Sequence, residues 1–220
     1  MNETSDTARL RITEIFHSLQ GEARSVGWPT VFVRLTGCPL RCHYCDTAYA
    51  FHGGDNRSLP EIMAEVQRYG SRHVTVTGGE PLAQRKGCLA LLQALVDADY
   101  EVSIETSGAM DISGIDSRVS RVVDLKTPAS GESGRNLWSN IELLEPNDQV
   151  KFVICDRADY DWARAVLDEH ALADRCEVLF SPSFGQLSGR DLADWVVADA
   201  LPVRFQLQLH KLLWGDVPGR

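Results

Sequence analysis

Residues Ser58–Gly108 read SLPEIMAEVQRYGSRHVTVTGGEPLAQRKGCLALLQALVDADYEVSIETSG, and the alternation within this stretch sets the fold class. Ser58-Leu-Pro-Glu61 supplies an N-cap, a proline in the first turn and a glutamate placed to reach back. A helix is therefore expected from there to about Tyr69. The segment HVTVTGG (73–79) is β-branched and reads as a strand stopping on two glycines, whose missing side chains would let a ligand touch the backbone. Cys88–Ala98 follows as an apolar helix and EVSIETSG (101–108) as a second strand. Helix, strand, helix, strand is the grammar of a parallel sheet.

The same pattern extends both ways. Upstream, Leu10–Phe16 reads as a short strand and TVFVRL (30–35) as a strand ending at Gly37. Downstream, RVVDLK (121–126), QVKFVI (149–154) and EVLFS (177–181) are strands, Tyr160–Glu169 and Asp191–Ala200 are helices, and VRFQLQL (203–209) is a closing strand. A Gly/Ser/Pro-rich loop, Thr127–Gly134, lies between the strands at 121 and 149. The expected architecture is α/β, an incomplete (β/α) barrel, and with no repeat or linker it is a single domain over residues 1–220. Polar residues and glycines collect just after the strands, at Thr77–Glu80, Glu105–Ser107, Lys126–Thr127 and Ser181–Ser183. In parallel α/β folds that edge is where active sites are built.

A net charge of −9 and a pI near 5.1 argue against a nucleic-acid partner. No apolar run is long enough to span a membrane, and the start MNETSDTARLR lacks the apolar core of a signal peptide. A cytoplasmic protein with no membrane partner is expected.

Three of the six cysteines fall within eight residues, Cys38-Pro-Leu-Arg-Cys42-His-Tyr-Cys45, while Cys88, Cys155 and Cys176 are dispersed among apolar neighbours. Three thiolates this close suit a compact soft-metal centre with one coordination position left for an outside ligand. A closed zinc site with His43 or a distant residue as fourth ligand is the competing reading. It normally brings paired ligands, and no second Cys-x-x-Cys or His/Cys pair exists in the chain.

The spacing resembles the signature of the radical S-adenosylmethionine superfamily, in which an aromatic residue, here Tyr44, precedes the last cysteine. Thr77-Gly-Gly-Glu-Pro81 resembles the superfamily's stretch that holds the methionine amino group. Phe16-His-Ser-Leu-Gln-Gly-Glu22, Val31–Thr47, Ile104-Glu-Thr-Ser-Gly108, Asp124-Leu-Lys126 and Gln208-Leu-His-Lys211 narrow the resemblance to the 7-carboxy-7-deazaguanine synthase family, over about residues 10 to 215. That resemblance implies a 4Fe-4S cluster, S-adenosyl-L-methionine and Mg2+ as cofactors. It implies that an adenosyl radical takes hydrogen from C6 of 6-carboxy-5,6,7,8-tetrahydropterin. The ring then contracts to 7-carboxy-7-deazaguanine with loss of ammonia, on the route to queuosine. A homodimer and an electron-donor protein such as flavodoxin are implied as well.

Carried over residue by residue, the resemblance implies Cys38, Cys42 and Cys45 as cluster ligands and Thr47 as the magnesium ligand. Tyr44, Cys45, Asp46, Gly79 and Glu80 match cofactor contacts. Asp124, Leu125 and Lys126 stand where the family has Ser-Pro-Lys, and Ser181 and Pro182 where it has Gln-Pro. Leu19, Gln20, Gly21, Arg34 and Thr77 match substrate contacts. Arg34 interrupts an apolar strand and needs an anionic partner, which the pterin carboxylate or a nearby Glu would equally provide. Ala23 replaces a glycine usual in the family, which argues against a positive φ there. His210 is expected as a strand-end histidine. Some members end on a short tail whose carboxylate approaches the substrate, a contact not carried over to Leu213–Arg220. Two alternatives remain on the sequence: an activating enzyme for glycyl-radical proteins, which shares the cysteine spacing, and a zinc module.

Overall fold

A computed structural model of the chain describes residues 9–215, 217 and 219. Among these residues nine strands form one sheet: β1 (Arg9–Leu19), β2 (Pro29–Leu35), β3 (Asp55–Ser58), β4 (His73–Gly78), β5 (Glu101–Thr106), β6 (Ser120–Asp124), β7 (Gln149–Ile154), β8 (Glu177–Pro182) and β9 (Arg204–Phe205). Their order is β3-β1-β2-β4-β5-β6-β7-β8-β9, with β1 antiparallel to both neighbours and every pairing from β2 onward parallel. The sheet is open, as an incomplete barrel requires.

The helices are α1 (Leu59–Arg68), α2 (Arg85–Asp97), α3 (Arg157–Glu169), α4 (Leu172–Arg175), α5 (Gly189–Ala198) and α6 (Leu209–Trp214). In α1 the expected cap is present: the Glu61 carboxylate accepts from the Ser58 N–H at 2.7 Å and from its hydroxyl at 2.6 Å. Leu59, Ile62 and Val66, spaced by three and four, put one face of α1 into the core. Each such burial is worth about 1.5–3 kcal/mol. That core also takes in Leu91, Leu92 and Leu95 of α2, Tyr160 and Ala163 of α3, and Leu192 and Val196 of α5. Among the described residues no helix is long and apolar enough to cross a membrane.

One expected element is corrected. VRFQLQL (203–209) alternates like a strand, but only Arg204–Phe205 pairs with β8. The chain then leaves the sheet because the turn after β1 claims its polar groups. Gln206 Oε1 accepts from Ala23 N–H at 2.6 Å, Gln206 Nε2 donates to Ala23 O at 2.9 Å, and Leu209 N–H donates to Gly21 O at 2.9 Å. Ala23 is held at φ 60°, so the positive φ that its side chain argued against is present. The residues that follow form α6, which places His210 in a first helical turn rather than at a strand end.

Candidate active site

Cys38 follows the end of β2, where Gly37 turns the chain at φ 99°. The loop beyond is braced from within. Arg41 Nη1 donates to Cys38 O at 2.8 Å and Leu40 O at 2.6 Å, its guanidinium lies 4.1 Å from the Phe51 ring centroid, and Cys45 N–H donates to Cys42 O at 3.2 Å. Cys38, Cys42 and Cys45 all line one cavity of ≈290 Å³ at the C-terminal edge of the parallel strands. Burial pushes the Cys38 thiol up and the Cys42 thiol to about 11, so metal ligation there displaces protons. Cys88, Cys155 and Cys176 do not line it, and burial holds them at about 12, 11 and 11. His43 also stays out of the cavity, its ring beside Gly131 with Nδ1 3.2 Å from Ala129 O. Among the described residues, no group of three or more His, Cys, Asp or Glu side chains is arranged to hold a metal ion as it stands.

Gly78 and Gly79 line the cavity, but their small size first serves the chain itself. A Cβ on Gly78 would overlap Leu35 O, and one on Gly79 would overlap Gly37 O and come within 2.8 Å of the Cys38 Cβ. The end of β4 thus presses on the root of the cysteine loop, with Gly79 N–H donating to Leu35 O at 3.1 Å and Glu80 N–H to Gly37 O at 2.7 Å. Glu80 is fully buried and does not reach the cavity. Its carboxylate accepts from Leu82 N–H, the Thr106 hydroxyl, and both the N–H and hydroxyl of Ser107, at 2.6–2.9 Å.

The same cavity also carries a belt of charge on neighbouring strands. Arg34 pairs in register with Thr77, and Asp124 with Lys151. Lys151 Nζ lies 2.5 Å from Glu22 Oε2 and 3.3 Å from Asp124 Oδ2, while Lys126 Nζ lies 3.0 Å from the same Asp124 oxygen. Burial opposes the charge on Glu22, but Lys151 and the 2.7 Å bond from Gln208 overcome it and bring the carboxyl to about 2. Burial likewise works against Lys151, yet Glu22 and Asp124 hold its ammonium well above the usual lysine range. Glu105 goes the other way. Burial, and then the Glu22 charge, raise its carboxyl, although Thr77 Oγ1 donates to it at 3.0 Å and Gln20 Nε2 at 3.1 Å.

Of the expected substrate residues, Arg34 and Thr77 line the main cavity. Leu19, Gln20 and Gly21 line an adjoining pocket of ≈50 Å³ that shares Glu22, Arg34, Thr77, Glu105 and His210 with it. Arg34 Nε donates to Glu14 Oε1 at 2.7 Å, so the nearby Glu does occupy one edge of the guanidinium. Nη1 and Nη2 have no hydrogen-bond partner among the described residues. A Cβ on Gly21 would overlap the His210 ring, so the glycine lets the imidazole lie on the backbone. Val217 and Gly219 of the tail also line the cavity; residues 216, 218 and 220 lie outside the described residues.

Of the expected cofactor residues, Tyr44, Cys45, Asp46, Gly79, Asp124 and Lys126 line the cavity, and so does Thr47. Leu125, Ser181 and Pro182 are buried behind it, and Ser183 and Phe184 face it instead. Thr47 Oγ1 bonds no backbone group; its neighbours are Asp46 Oδ1 at 3.4 Å and Cys45 Sγ at 3.9 Å. Tyr44 Oη and Asp124 Oδ1 are buried with no hydrogen-bond partner among the described residues. Such orphans are costly, and a polar ligand in the cavity satisfies them. Soft sulfurs on one side and unmet polar atoms beside them fit an iron–sulfur cluster with a polar organic cofactor. The sequence places Glu105 on the functional edge and Glu22 and Gln208 within family motifs without a role for any of them, and it leaves Lys151 unmarked. Lys151 interrupts the apolar run QVKFVI as Arg34 interrupts TVFVRL, and that signal was available.

Comparison with known proteins adds the following. The family model described as the Radical SAM superfamily matches residues 32–168. A 7-carboxy-7-deazaguanine synthase from Chlorobaculum tepidum is 45% identical over 96% of this chain and 97% of the relative. One from Koribacter versatilis is 44% identical over 93% and 97%. The crystal structure of QueE from Escherichia coli superposes with a TM-score of 0.74 at 23% identity, over 92% of this chain and 95% of that one, a likeness of fold.

Proposed function

Because the chain belongs to the 7-carboxy-7-deazaguanine synthase family of the radical SAM superfamily, we propose that it contracts 6-carboxy-5,6,7,8-tetrahydropterin to 7-carboxy-7-deazaguanine with loss of ammonia, in deazapurine biosynthesis. The observation that carries this reading is one cavity lined both by three half-buried thiols and by Arg34, Thr77, Glu105 and Lys151.

Cys38, Cys42 and Cys45 would hold the cluster. The backbone at Gly79, the Tyr44 hydroxyl, Asp124 and Lys126 would hold S-adenosylmethionine. When bound, these two groups supply the hydrogen-abstracting radical. The chain's own residues do the rest. The free Nη edge of Arg34 matches the planar fork of a carboxylate and would fix the pterin's acid group. Glu22, kept ionised by Lys151, accepts hydrogen bonds from ring N–H groups. Glu105, its carboxyl raised by burial and by the Glu22 charge, is the carboxyl of the pair suited to take or return a proton. Glu80 positions Thr106 and Ser107 and touches no ligand.

Thr47 would ligate Mg2+, since its hydroxyl faces the cavity and no backbone group engages it. The same reading carries a homodimer, an electron-donor protein such as flavodoxin, a cytoplasmic location and one catalytic unit over residues 1–220. The test is anaerobic reconstitution with iron and sulfide, then turnover of the carboxypterin with a chemical reductant and no partner protein. The expected product is 7-carboxy-7-deazaguanine. Cleavage of S-adenosylmethionine with no ring-contracted product would overturn the reading.

A further inference from the structure

The Gly/Ser/Pro-rich stretch at 127–134 lies behind the cavity wall, yet the cysteine loop is fastened to it. Two peptide N–H groups flank Cys42, and both are tied there. Arg41 N–H donates to Glu132 Oε1 at 2.6 Å, and His43 N–H donates to Ser130 O at 3.0 Å. The His43 ring rests on the same turn, where a Cβ on Gly131 would stand 2.9 Å from it and where Gly131 itself adopts φ 78°.

The stretch is in turn anchored to the helical layer. Asp159 in the first turn of α3 is 1% exposed, and its carboxylate accepts from Ala129 N–H and Thr127 Oγ1 at 2.9 Å and from Cys155 N–H at 3.0 Å. Ser130 Oγ donates to Thr127 O at 2.6 Å and accepts from Glu132 N–H at 3.0 Å. A chain of hydrogen bonds thus runs from the buried Asp159 of α3 out to the backbone on either side of one cysteine.

We propose that Glu132 is a positioning residue for Cys42, fixing the middle thiol of the loop so that it closes on the iron–sulfur cluster. Cys38 follows the end of β2 by three residues, and Cys45 precedes the helical turn at Ala48–Phe51 by three. Cys42 sits between exposed Arg41 and His43, with no strand or helix of its own. Holding the peptides before and after it removes the freedom through which its sulfur would swing away. A carboxylate accepting a backbone N–H is a strong bond for the purpose. The inference rests on the reading of Cys42 as a cluster ligand.

The test compares wild type, Glu132→Ala, Glu132→Gln and Cys42→Ala, each reconstituted anaerobically. Iron and sulfide per chain, the rate at which a chelator bleaches the cluster's visible absorbance, and the melting midpoint of the metal-free protein are measured. Loss of a supporting partner of a metal ligand weakens binding roughly tenfold or more, so Glu132→Ala should bleach roughly tenfold faster. Its metal-free melting midpoint should stay at the wild-type value. Glu132→Gln keeps the acceptor oxygen and should stay close to wild type. Wild-type bleaching in Glu132→Ala overturns the proposal, and so does a lowered metal-free midpoint, which would mark the residue as a general structural support. If Cys42→Ala kept a full cluster, the cluster assignment itself would fail; loss there with a wild-type Glu132→Ala defeats only the positioning role.

Discussion

Replacing Glu22 by Gln tests whether the charge belt is built as described. The carboxylate sits 2.5 Å from Lys151 Nζ and 2.7 Å from Gln208 Nε2, with side chains of Glu22 and Lys151 only 12% and 11% exposed. Gln removes the charge and leaves Lys151 with Asp124 at 3.3 Å as its remaining counter-ion. Breaking one side of a buried pair costs about 3–5 kcal/mol. The carboxyl's fall from 4.5 to about 2 gives a second route to the size. At about 1.36 kcal/mol per pH unit it amounts to about 3 kcal/mol. Because the folded value is depressed, this stability is complete above pH 4.5 and is lost as pH falls toward 2. Glu105, whose value is raised, has the opposite sign and gains stability for the fold as pH falls toward its unfolded value. Urea unfolding of the metal-free protein, followed by tryptophan fluorescence at pH 7 and pH 3, measures both. Glu22→Gln should be about 3 kcal/mol less stable at pH 7, with the gap narrowing to under half at pH 3. A gap below about 1 kcal/mol at pH 7, or one equally wide at pH 3, would refute the reasoning.

Other substitutions probe the remaining walls. Gly21→Ala drives a methyl into the His210 ring. It should impair turnover while leaving iron content and cleavage of S-adenosylmethionine without substrate intact; loss of iron would contradict this. Arg34→Ala should weaken pterin binding by about 1.5–3 kcal/mol, measured by titration, again with uncoupled cleavage preserved. Equal loss of both activities would mark Arg34 as serving only its pair with Glu14. Cys42→Ala should lose cluster iron after reconstitution, whereas Cys88→Ala keeps it. In Thr47→Ala the cluster should persist while stimulation by added magnesium disappears, and Thr47→Ser should retain it. Unchanged magnesium dependence in Thr47→Ala defeats that ligand.

The elements legible in the sequence are those whose pattern has one solution. The Ser58/Glu61 cap, the β-branched run at 73–78 and the stripe of α2 each admit a single local structure, and each is present. VRFQLQL was misleading because period two states only that a strand is possible. Whether a partner is available depends on Ala23 and Gly21, more than 180 residues away in the chain. The Gly78-Gly79 pair was read as room for a ligand, and the tighter constraint proved to be the chain's own Leu35 and Gly37 carbonyls. The cysteines were legible because clustering is local. Glu105 was legible only as one polar residue of the sheet's C-terminal edge, and Lys151 not at all, because their roles come from the sheet register, which sets them beside Thr77 and Asp124.

The seam between residues 20–23 and 206–209 has a consequence for how the molecule comes into being. The belt on β4 to β7 can form as those strands are made, since each pairs with a recent neighbour. Glu22 acquires Gln208 only after 186 further positions have been made, and Gly21 likewise waits for His210. On a nascent chain the pocket therefore stays unfinished until residues 206–211 emerge. Contacts of such long sequence separation form late and slowly. Competence for chemistry thus waits on contacts that span some 186 residues of the chain.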